Sequence, residues 1–158
     1  MTIDVSEMEG LKRKFERMSG KAVEAIERKS ALKINLAMAG HAKERAHVQT
    51  GNMRNMIDSN GFVERGPESV NMGITAHASY SIFEEYGTGY KGDPEVPHTS
   101  KKSWIYYDPA MKNADGTYGG FRFGFPREAH PFMRPALYDH LDEYKSILAG
   151  DVLEVFHD

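Results

Sequence analysis

A long stretch of helical periodicity, from about Lys21 to Ala46, constrains the fold more than any other feature of this sequence. Apolar residues recur along it at three- and four-residue intervals and form a broad arc. The arc consists of Val23, Ile26, Leu32, Ile34, Leu36, Met38 and Ala39. At 1.5 Å per residue such a helix is about 39 Å long, longer than most single-domain helices. We therefore expect it to be the main element that covers a sheet.

Shorter helices are predicted at both ends of the chain. Leu11, Phe15 and Met18 share one helical face, and Ser19-Gly20 is expected to interrupt that first helix. Pro135 suits the first turn of a C-terminal helix, because an N–H is not needed there. The apolar positions that continue this helix are Leu137, Leu141, Tyr144 and Leu148.

Strand patterns occupy the middle of the chain. Alternate apolar residues from Val70 to Ala76 predict a half-buried antiparallel strand. Asn60-Gly61 is a strong two-residue hairpin signal between Met56-Ile57 and Phe62-Val63. It could also be a bulge inside one longer strand.

Residues 90–130 are interrupted repeatedly by glycine and proline. The aromatic runs Trp104–Tyr107 and Phe121–Phe123 can nevertheless pair as a hairpin across Asp115-Gly116. A segment of this length within a compact domain is usually functional. We expect it to be an arm that becomes ordered against a neighbouring subunit.

Together these patterns predict an α+β fold, with the long N-terminal helix and the C-terminal helix packed on an antiparallel sheet and a long Gly/Pro-rich arm or hairpin. With 158 residues the chain is expected to form one domain with a substantial core. Its predicted regions are a helical region at 1–47, a sheet at 48–87, an extended arm or hairpin at 88–130 and the C-terminal helix at 131–158.

Composition excludes several classes of protein. The chain has no cysteine, so disulfides, thiolate metal sites and cysteine nucleophiles are excluded. The net charge of −3 provides no general attraction for a phosphate backbone. The start of the sequence lacks the pattern of a signal peptide and no run of eighteen apolar residues occurs, so we expect a cytosolic protein without a membrane span.

The charge is unevenly distributed along the chain. Residues 1–50 contain ten Lys/Arg and seven Asp/Glu, whereas residues 139–158 contain one Lys/Arg and six Asp/Glu. Ends of opposite sign would suit head-to-tail contacts between copies, although two ordinary solvated helix faces also explain the pattern.

No catalytic, cofactor-binding or metal-binding residues are assigned from the sequence. Residues 87–92 match G-x-G-x-x-G, but Asp93-Pro94 follows at once and forbids the helix that this nucleotide-binding motif requires. Glu84 and Glu85 are expected to be an exposed pair, because adjacent carboxylates point apart. The histidines show no metal-ligand spacing, although three of them could converge in space.

Two alternatives to a structural role remain open. Scattered His and Glu residues could serve a small metal-dependent hydrolase. Basic residues also alternate with aromatic ones around Lys101–Trp104 and Phe121–Phe123, as in modules that bind nucleic acid. The same residue types are common at protein–protein interfaces, which we favour.

Three motifs, taken in order, resemble the head-tail joining or tail-completion family of tailed bacteriophages, also called minor tail components. They are T-G-N-M-R at residues 50–54, Y-S-I-F-E-E-Y-G-T at 80–88 and P-F-M-R-P-A at 131–136. The resemblance extends over most of the chain from the long helix onward. The sequence departs from the family pattern at two places. The family often has a proline shortly before the Thr-Gly, where this chain has Val48-Gln49, and it usually has alanine where this chain has Ser81.

The resemblance implies a non-enzymatic virion protein that forms an oligomeric ring, with a hexamer as one expected size, at the head–tail junction. Its partners would be further copies and other neck and tail proteins, with DNA passing through but not bound specifically. It would be located in the virion, and in the host cytoplasm during assembly. No cofactor is implied.

The residues expected to build this interface and its support come from the three motifs and the hairpin. They are Thr50, Gly51, Arg54, Tyr80, Phe83, Glu84, Tyr86, Gly87, Thr88, Gly89, Trp104, Phe121, Phe123, Pro131, Phe132, Arg134 and Pro135. The rings of Tyr80, Phe83 and Tyr86 are expected to be buried at the base of the arm, and the glycines to allow its sharp exit. Glu84 is expected to pair with Arg54, and Phe132 to act as a hydrophobic plug.

Overall fold

A computed structural model describes residues 5–47, 51–66 and 69–157 and confirms the mixed α+β class. The helices are α1 (Val5–Ala25), α2 (Ala31–Arg45), α3 (Asn52–Asn55), α4 (Ser81–Tyr86), α5 (Met133–Tyr138) and α6 (Leu141–His157). The strands are β1 (Phe62–Arg65), β2 (Val70–Gly73), β3 (Trp104–Lys112) and β4 (Tyr118–Gly124). They form two antiparallel two-stranded sheets, β1–β2 and β3–β4. No helix in these residues has both the length and the apolar content needed to cross a membrane.

The N-terminal helical region is continuous, because a π-helical turn at Ile26–Ser30 joins α1 directly to α2. The predicted interruption at Ser19-Gly20 is wrong. The Ser19 hydroxyl donates to the carbonyl oxygen of Glu16 at 3.0 Å, so this residue is accommodated within the helix. Met18 is half-buried, whereas the side chains of Leu11 and Phe15 lie outside the described part of the chain.

The hydrophobic core lies on one face of α2, where Ile34, Met38 and Ala42 are buried. The remaining core side chains come from the middle of the chain and the C-terminal helices: Met53, Ile57, Ile74, Ala78, Phe132, Ala136 and Tyr144. Leu32 and Leu36 belong to the predicted apolar arc but are 54% and 63% exposed. The apolar arc of the long helix is therefore wider than the face that the fold covers.

The first sheet packs on α2 through β1 and β2, which pair with Phe62 opposite Gly73. Asn60-Gly61 does not form the turn of a hairpin. An isolated bridge pairs Ile57 with Ala76, so the ladder continues past this dipeptide as in the predicted bulge. Met56 directly follows the short helix α3 and Ile57 lies in this bridge, so the two residues do not form the first strand of a hairpin across Asn60-Gly61.

Asn35 holds the irregular segment against the long helix. Its fully buried Nδ2 group donates to the carbonyl oxygens of Asn60 at 3.0 Å and Phe62 at 3.1 Å. Gly61 has a φ of +60°, and a Cβ there would lie 2.0 Å from the carbonyl oxygen of Gly73. Glycine is therefore required at this close approach of two backbones.

The C-terminal helix α6 runs through Gly150 and packs mainly on α1 and the π-helical turn, not on a sheet as predicted. Asp151, which is 4% exposed, accepts hydrogen bonds from Ser30 Oγ at 2.9 Å and Lys33 Nζ at 2.5 Å. The hydrogen bond from Lys33 lowers the pKa of Asp151 more than burial raises it, and the Ser30 bond lowers it further.

Other ion pairs also connect the two oppositely charged ends within one chain. Lys29 pairs with Glu154, and Arg45 pairs with Asp139 at 2.7 Å. These charges stabilise the packing of α6 on the N-terminal helices. They are therefore not free to attract a neighbouring copy in the way that the sequence suggested.

The predicted hairpin between residues 104–107 and 121–123 is confirmed. Ile105 pairs with Phe123, and Tyr107 pairs with Phe121. A register shift between Asp108 and Lys112 accommodates Pro109, which has no N–H to donate to a ladder. Most contacts of the hairpin are between its own two strands. The long extended arm, which was the alternative prediction for this region, is not confirmed.

Candidate functional site

The central and C-terminal motifs meet at Glu85, a buried carboxylate at the end of α4. This carboxylate accepts hydrogen bonds from the backbone N–H groups of Phe132 at 2.7 Å, Met133 at 2.9 Å and Arg134 at 3.0 Å. These groups belong to the start of α5, where backbone donors have no partner within the helix. Glu85 thus caps a helix from a distant part of the chain. The prediction that Glu84 and Glu85 are an exposed pair is wrong.

Arg134 completes the contact from the side of α5. Its Nε donates to Glu85 Oε1 at 3.1 Å, and its NH2 group pairs with the carboxylate of Asp93. The guanidinium also lies 4.7 Å from the ring centroid of Tyr86, a cation–π distance. The pKa of Asp93 is lowered by the backbone N–H of Glu95 first and by Arg134 second. The hydrogen bond to Asp93 in turn raises the pKa of Arg134.

Glu84 pairs with Arg127 and not with Arg54 as predicted. The Glu84 Oε1 atom lies 3.1 Å from Arg127 NH1. An isolated antiparallel bridge between Thr88 and Arg127 aligns the two segments, and the Thr88 hydroxyl accepts the Arg127 N–H at 3.1 Å. The Glu84 carbonyl also accepts the His130 N–H at 2.7 Å. Arg54 is exposed on α3.

A cleft of about 320 Å³ opens beside this pair and brings residues of the first two motifs next to Arg127. Its lining consists of His47, Gly51, Asn52, Met53, Tyr80, Glu84 and Arg127. Asn52 Nδ2 donates to the Tyr80 hydroxyl at 3.4 Å. The charged groups in this lining, Glu84 and Arg127, are paired with each other. The cleft therefore has the character of a polar junction between segments.

The aromatic residues of the central motif differ from the prediction. Tyr80 is 38% and Phe83 is 53% exposed, so neither ring is buried in the single chain. Only Tyr86 is partly covered, by Arg134. The reason is that α4 is short and turns its buried face, with Glu85, towards α5.

The predicted glycine turn is confirmed at both positions. Gly87 and Gly89 have φ angles of +67° and +63°. A Cβ on Gly87 would lie 2.7 Å from the Ala129 nitrogen, and one on Gly89 would lie 2.7 Å from the Lys101 carbonyl oxygen. Thr88, between them, makes the backbone bridge to Arg127. Side chains are excluded because the chain exits here against another backbone.

The C-terminal motif matches its prediction in part, because it opens the six-residue helix α5, whereas the single C-terminal helix predicted at 131–158 is divided into α5 and α6. Phe132 is fully buried, in keeping with its expected role as a plug. Pro135 lies in the first turn of α5, whereas Pro131 is exposed just before it. Trp104 is half-buried at the base of the hairpin, while Phe121 and Phe123 are exposed. Thr50 lies outside the described residues.

Sequence reasoning missed the partners Glu85, Asp93 and Arg127. Glu85 and Phe132 are 47 residues apart, and no local pattern indicates which of two neighbouring carboxylates turns inward. The short helix α4 was the signal available, since it places the two side chains about 100° apart. No family model, curated protein or solved structure matches this chain.

Proposed function

We propose that this protein is a non-enzymatic structural component of a tailed bacteriophage or prophage that forms a ring of copies at the head–tail junction. The proposal starts from the order of the three motifs in the sequence. The contact of Glu85 with Arg134 supports it, because it joins the central motif to the C-terminal one, and the pair of Glu84 with Arg127 joins the central motif to the segment just before the C-terminal one. The Thr88–Arg127 bridge follows the end of β4 and so connects the base of the β3–β4 hairpin to this junction.

The observation that carries the proposal is the apolar face of this hairpin. Ile105, Tyr107, Phe121 and Phe123 lie on one face, because directly paired residues share a side of the ladder. Their exposed fractions are 60%, 57%, 73% and 68%. A contiguous group of large apolar side chains on a soluble chain is typical of a protein–protein interface. Assembly would bury this face.

A second apolar surface of the same chain is a suitable receiver. Leu32 and Leu36 are one helical turn apart on α2, opposite the core face, and both are more than half exposed. Contact between the hairpin of one copy and this stripe of the next joins two different surfaces. Repetition of such a heterologous contact closes a ring when the rotation between copies allows it. The other partners would be neck and tail proteins, with DNA passing through the ring.

Light scattering after size-exclusion chromatography tests the proposal, followed by electron microscopy of any large species. We expect the wild-type chain to form a discrete species whose mass is a small multiple of 17.8 kDa and which is ring-shaped. The variant Phe121→Ser/Phe123→Ser should be monomeric and should melt at the temperature of the wild-type chain diluted until it is monomeric, because its changed side chains are exposed in the single chain.

Tyr106→Ser is the matched control. Tyr106 is an exposed aromatic residue of the same strand, but it alternates onto the opposite face of the hairpin. Its replacement should leave the oligomer intact. A wild-type chain that stays monomeric at the highest attainable concentration, or loss of assembly in Tyr106→Ser alone, would contradict the proposed interface.

A further inference from the structure

A cluster of potential metal ligands joins the long helix to the start of the C-terminal helix. His41 lies in α2, His140 directly precedes α6, and Glu143 lies in the first turn of α6. The imidazole rings of His41 and His140 are stacked, with centroids 3.5 Å apart and planes 5° apart. One oxygen of Glu143 lies 2.9 Å from His41 Nε2 and 3.5 Å from His140 Nδ1. His41, which is 102 positions from Glu143 in the sequence, thus meets the local pair of His140 and Glu143 at one point.

The separations of these donors match those around a small ion. One donor atom from each residue can be chosen so that all three lie within 4.8 Å of one another. Two ligand atoms at about 2.1 Å from a tetrahedral zinc ion are about 3.4 Å apart. The distances from Glu143 Oε2 to the two nitrogens bracket that value. Because the rings are parallel, one of them must rotate about its side-chain bonds to direct both nitrogens onto the ion.

The surroundings favour access and a fixed geometry. The side chains of His41, His140 and Glu143 are 23%, 27% and 46% exposed, so an ion can reach them from solvent. Below them the ring of Tyr144 is buried, and its hydroxyl donates to the Ala136 carbonyl oxygen at 2.7 Å. In the described part of the chain no Lys or Arg forms an ion pair with Glu143. The carboxylate therefore faces two imidazoles and no fixed cation.

We infer that His41, His140 and Glu143 bind one divalent transition-metal ion of the zinc class. Two imidazoles and one carboxylate form a donor set that zinc accepts with a fourth position left open. The ion would connect α2 to α6 beside the Arg45–Asp139 pair and would strengthen the packing of the two ends of the chain. This inference is independent of the proposed ring, because none of the three residues belongs to the hairpin or to the Leu32–Leu36 stripe.

Calorimetric titration of the untagged full chain with zinc chloride tests the inference. We expect one ion per chain. A concentration of zinc about a hundredfold above Kd should raise the melting temperature by about 5 °C or more. His41→Ala and His140→Ala should each weaken zinc binding at least tenfold, and Glu143→Gln should weaken it as well.

His77→Ala is the matched control, since His77 is exposed and lies outside the cluster. It should retain the affinity and the thermal shift of the wild type. Melting curves in the presence of a chelator establish that each variant is folded. If the His41→Ala/His140→Ala double variant binds zinc as tightly as the wild type, or if His77→Ala loses binding equally, the assignment is wrong.

Cobalt(II) substitution provides a second measurement that needs no variant. The wild-type chain loaded with one equivalent of cobalt should show the intense visible absorption of a four-coordinate ion with nitrogen and oxygen ligands. The spectrum should disappear when zinc is added in excess. If the loaded chain shows nothing but the weak spectrum of hexa-aqua cobalt, the inference is also overturned, whatever the behaviour of the variants.

Discussion

Glu85 connects two segments that are 47 residues apart in the sequence, and it does so with a carboxylate that is only 4% exposed. A buried charge is costly unless its oxygens are satisfied. Here three backbone N–H groups and the guanidinium of Arg134 satisfy them. Charge-assisted bonds of this kind are stronger than neutral ones. Its neighbour Glu84 makes an ion pair with Arg127, whose side chain is 60% exposed.

The two adjacent glutamates should therefore differ in their effect on stability. We expect Glu85→Gln to lower the free energy of unfolding by about 2 to 4 kcal/mol, because the amide replaces one acceptor by a donor that faces backbone N–H groups. Glu84→Gln should cost less, about 1 kcal/mol, because Glu84 makes a single ion pair and the Arg127 side chain that is released is 60% exposed to water. Urea denaturation of both variants measures the difference. Equal effects would show that the cap at α5 does not contribute as described.

The long N-terminal helical region continues through a glycine that helical propensity alone disfavours. Gly20 is exposed in α1, and no atom lies within 4 Å of the position that its Cβ would occupy. Gly87 has the opposite environment, with φ at +67° and two backbone atoms 2.7 Å from the position that a Cβ would take. Glycine thus slightly destabilises α1 at position 20, whereas the turn after α4 requires glycine at position 87.

Substitution by alanine should separate these two glycines. Gly20→Ala should raise the free energy of unfolding by about 0.5 to 1 kcal/mol, because alanine loses less backbone entropy in a helix. Gly87→Ala should lower it by more than about 1 kcal/mol, because a side chain is strained at this φ angle and collides with backbone. Thermal denaturation monitored by circular dichroism compares the variants. A destabilised Gly20→Ala variant would indicate that α1 is not continuous at this residue.

At the scale of the whole molecule, the two ends of the chain pack against each other, since α6 contacts α1 and the π-helical turn. The buried carboxylate of Asp151 accepts bonds from Ser30 and Lys33, more than a hundred positions away in the sequence. The apolar faces of the hairpin and of Leu32–Leu36 lie outside this core and are exposed. The single chain is thus stabilised internally by the paired ends, while its large apolar faces remain uncovered.

The Asp151 contact should make stability depend on pH in a defined direction. The pKa of Asp151 is lowered by Lys33 first, so the contact stabilises the fold above the unfolded-state pKa of about 3.9. This contribution is lost as the pH falls through the lower folded-state pKa. Asp151→Asn should therefore lower the free energy of unfolding by about 1 to 3 kcal/mol at pH 7, and the difference from wild type should shrink below about pH 4.

Asp142→Asn is the control for this prediction, because its side chain is 98% exposed on the same helix. It should change the stability at pH 7 by no more than about 0.5 kcal/mol. Urea denaturation of the three proteins at a series of pH values measures the dependence. A difference between Asp151→Asn and wild type that persists unchanged at about pH 2.5, below the unfolded-state pKa, would contradict the role assigned to the carboxylate.

Sequence alone determined the features that depend on neighbouring residues. The long helix, the pairing of Trp104–Tyr107 with Phe121–Phe123 and the turn at Gly87 follow from periodicity and backbone preference within short windows. The burial of Phe132 was also predicted, because a large apolar residue at a helix start is usually packed.

Only the tertiary structure decided which polar groups meet. Glu85 turns inward while Glu84 pairs with Arg127, Leu32 and Leu36 stay exposed, and His41 reaches His140 and Glu143. The physical reason is that a charged or apolar side chain is stabilised by the residues that tertiary packing places next to it. When the two partners are tens of residues apart, the periodicity of the sequence, which reflects a single helix or strand, does not indicate that they meet.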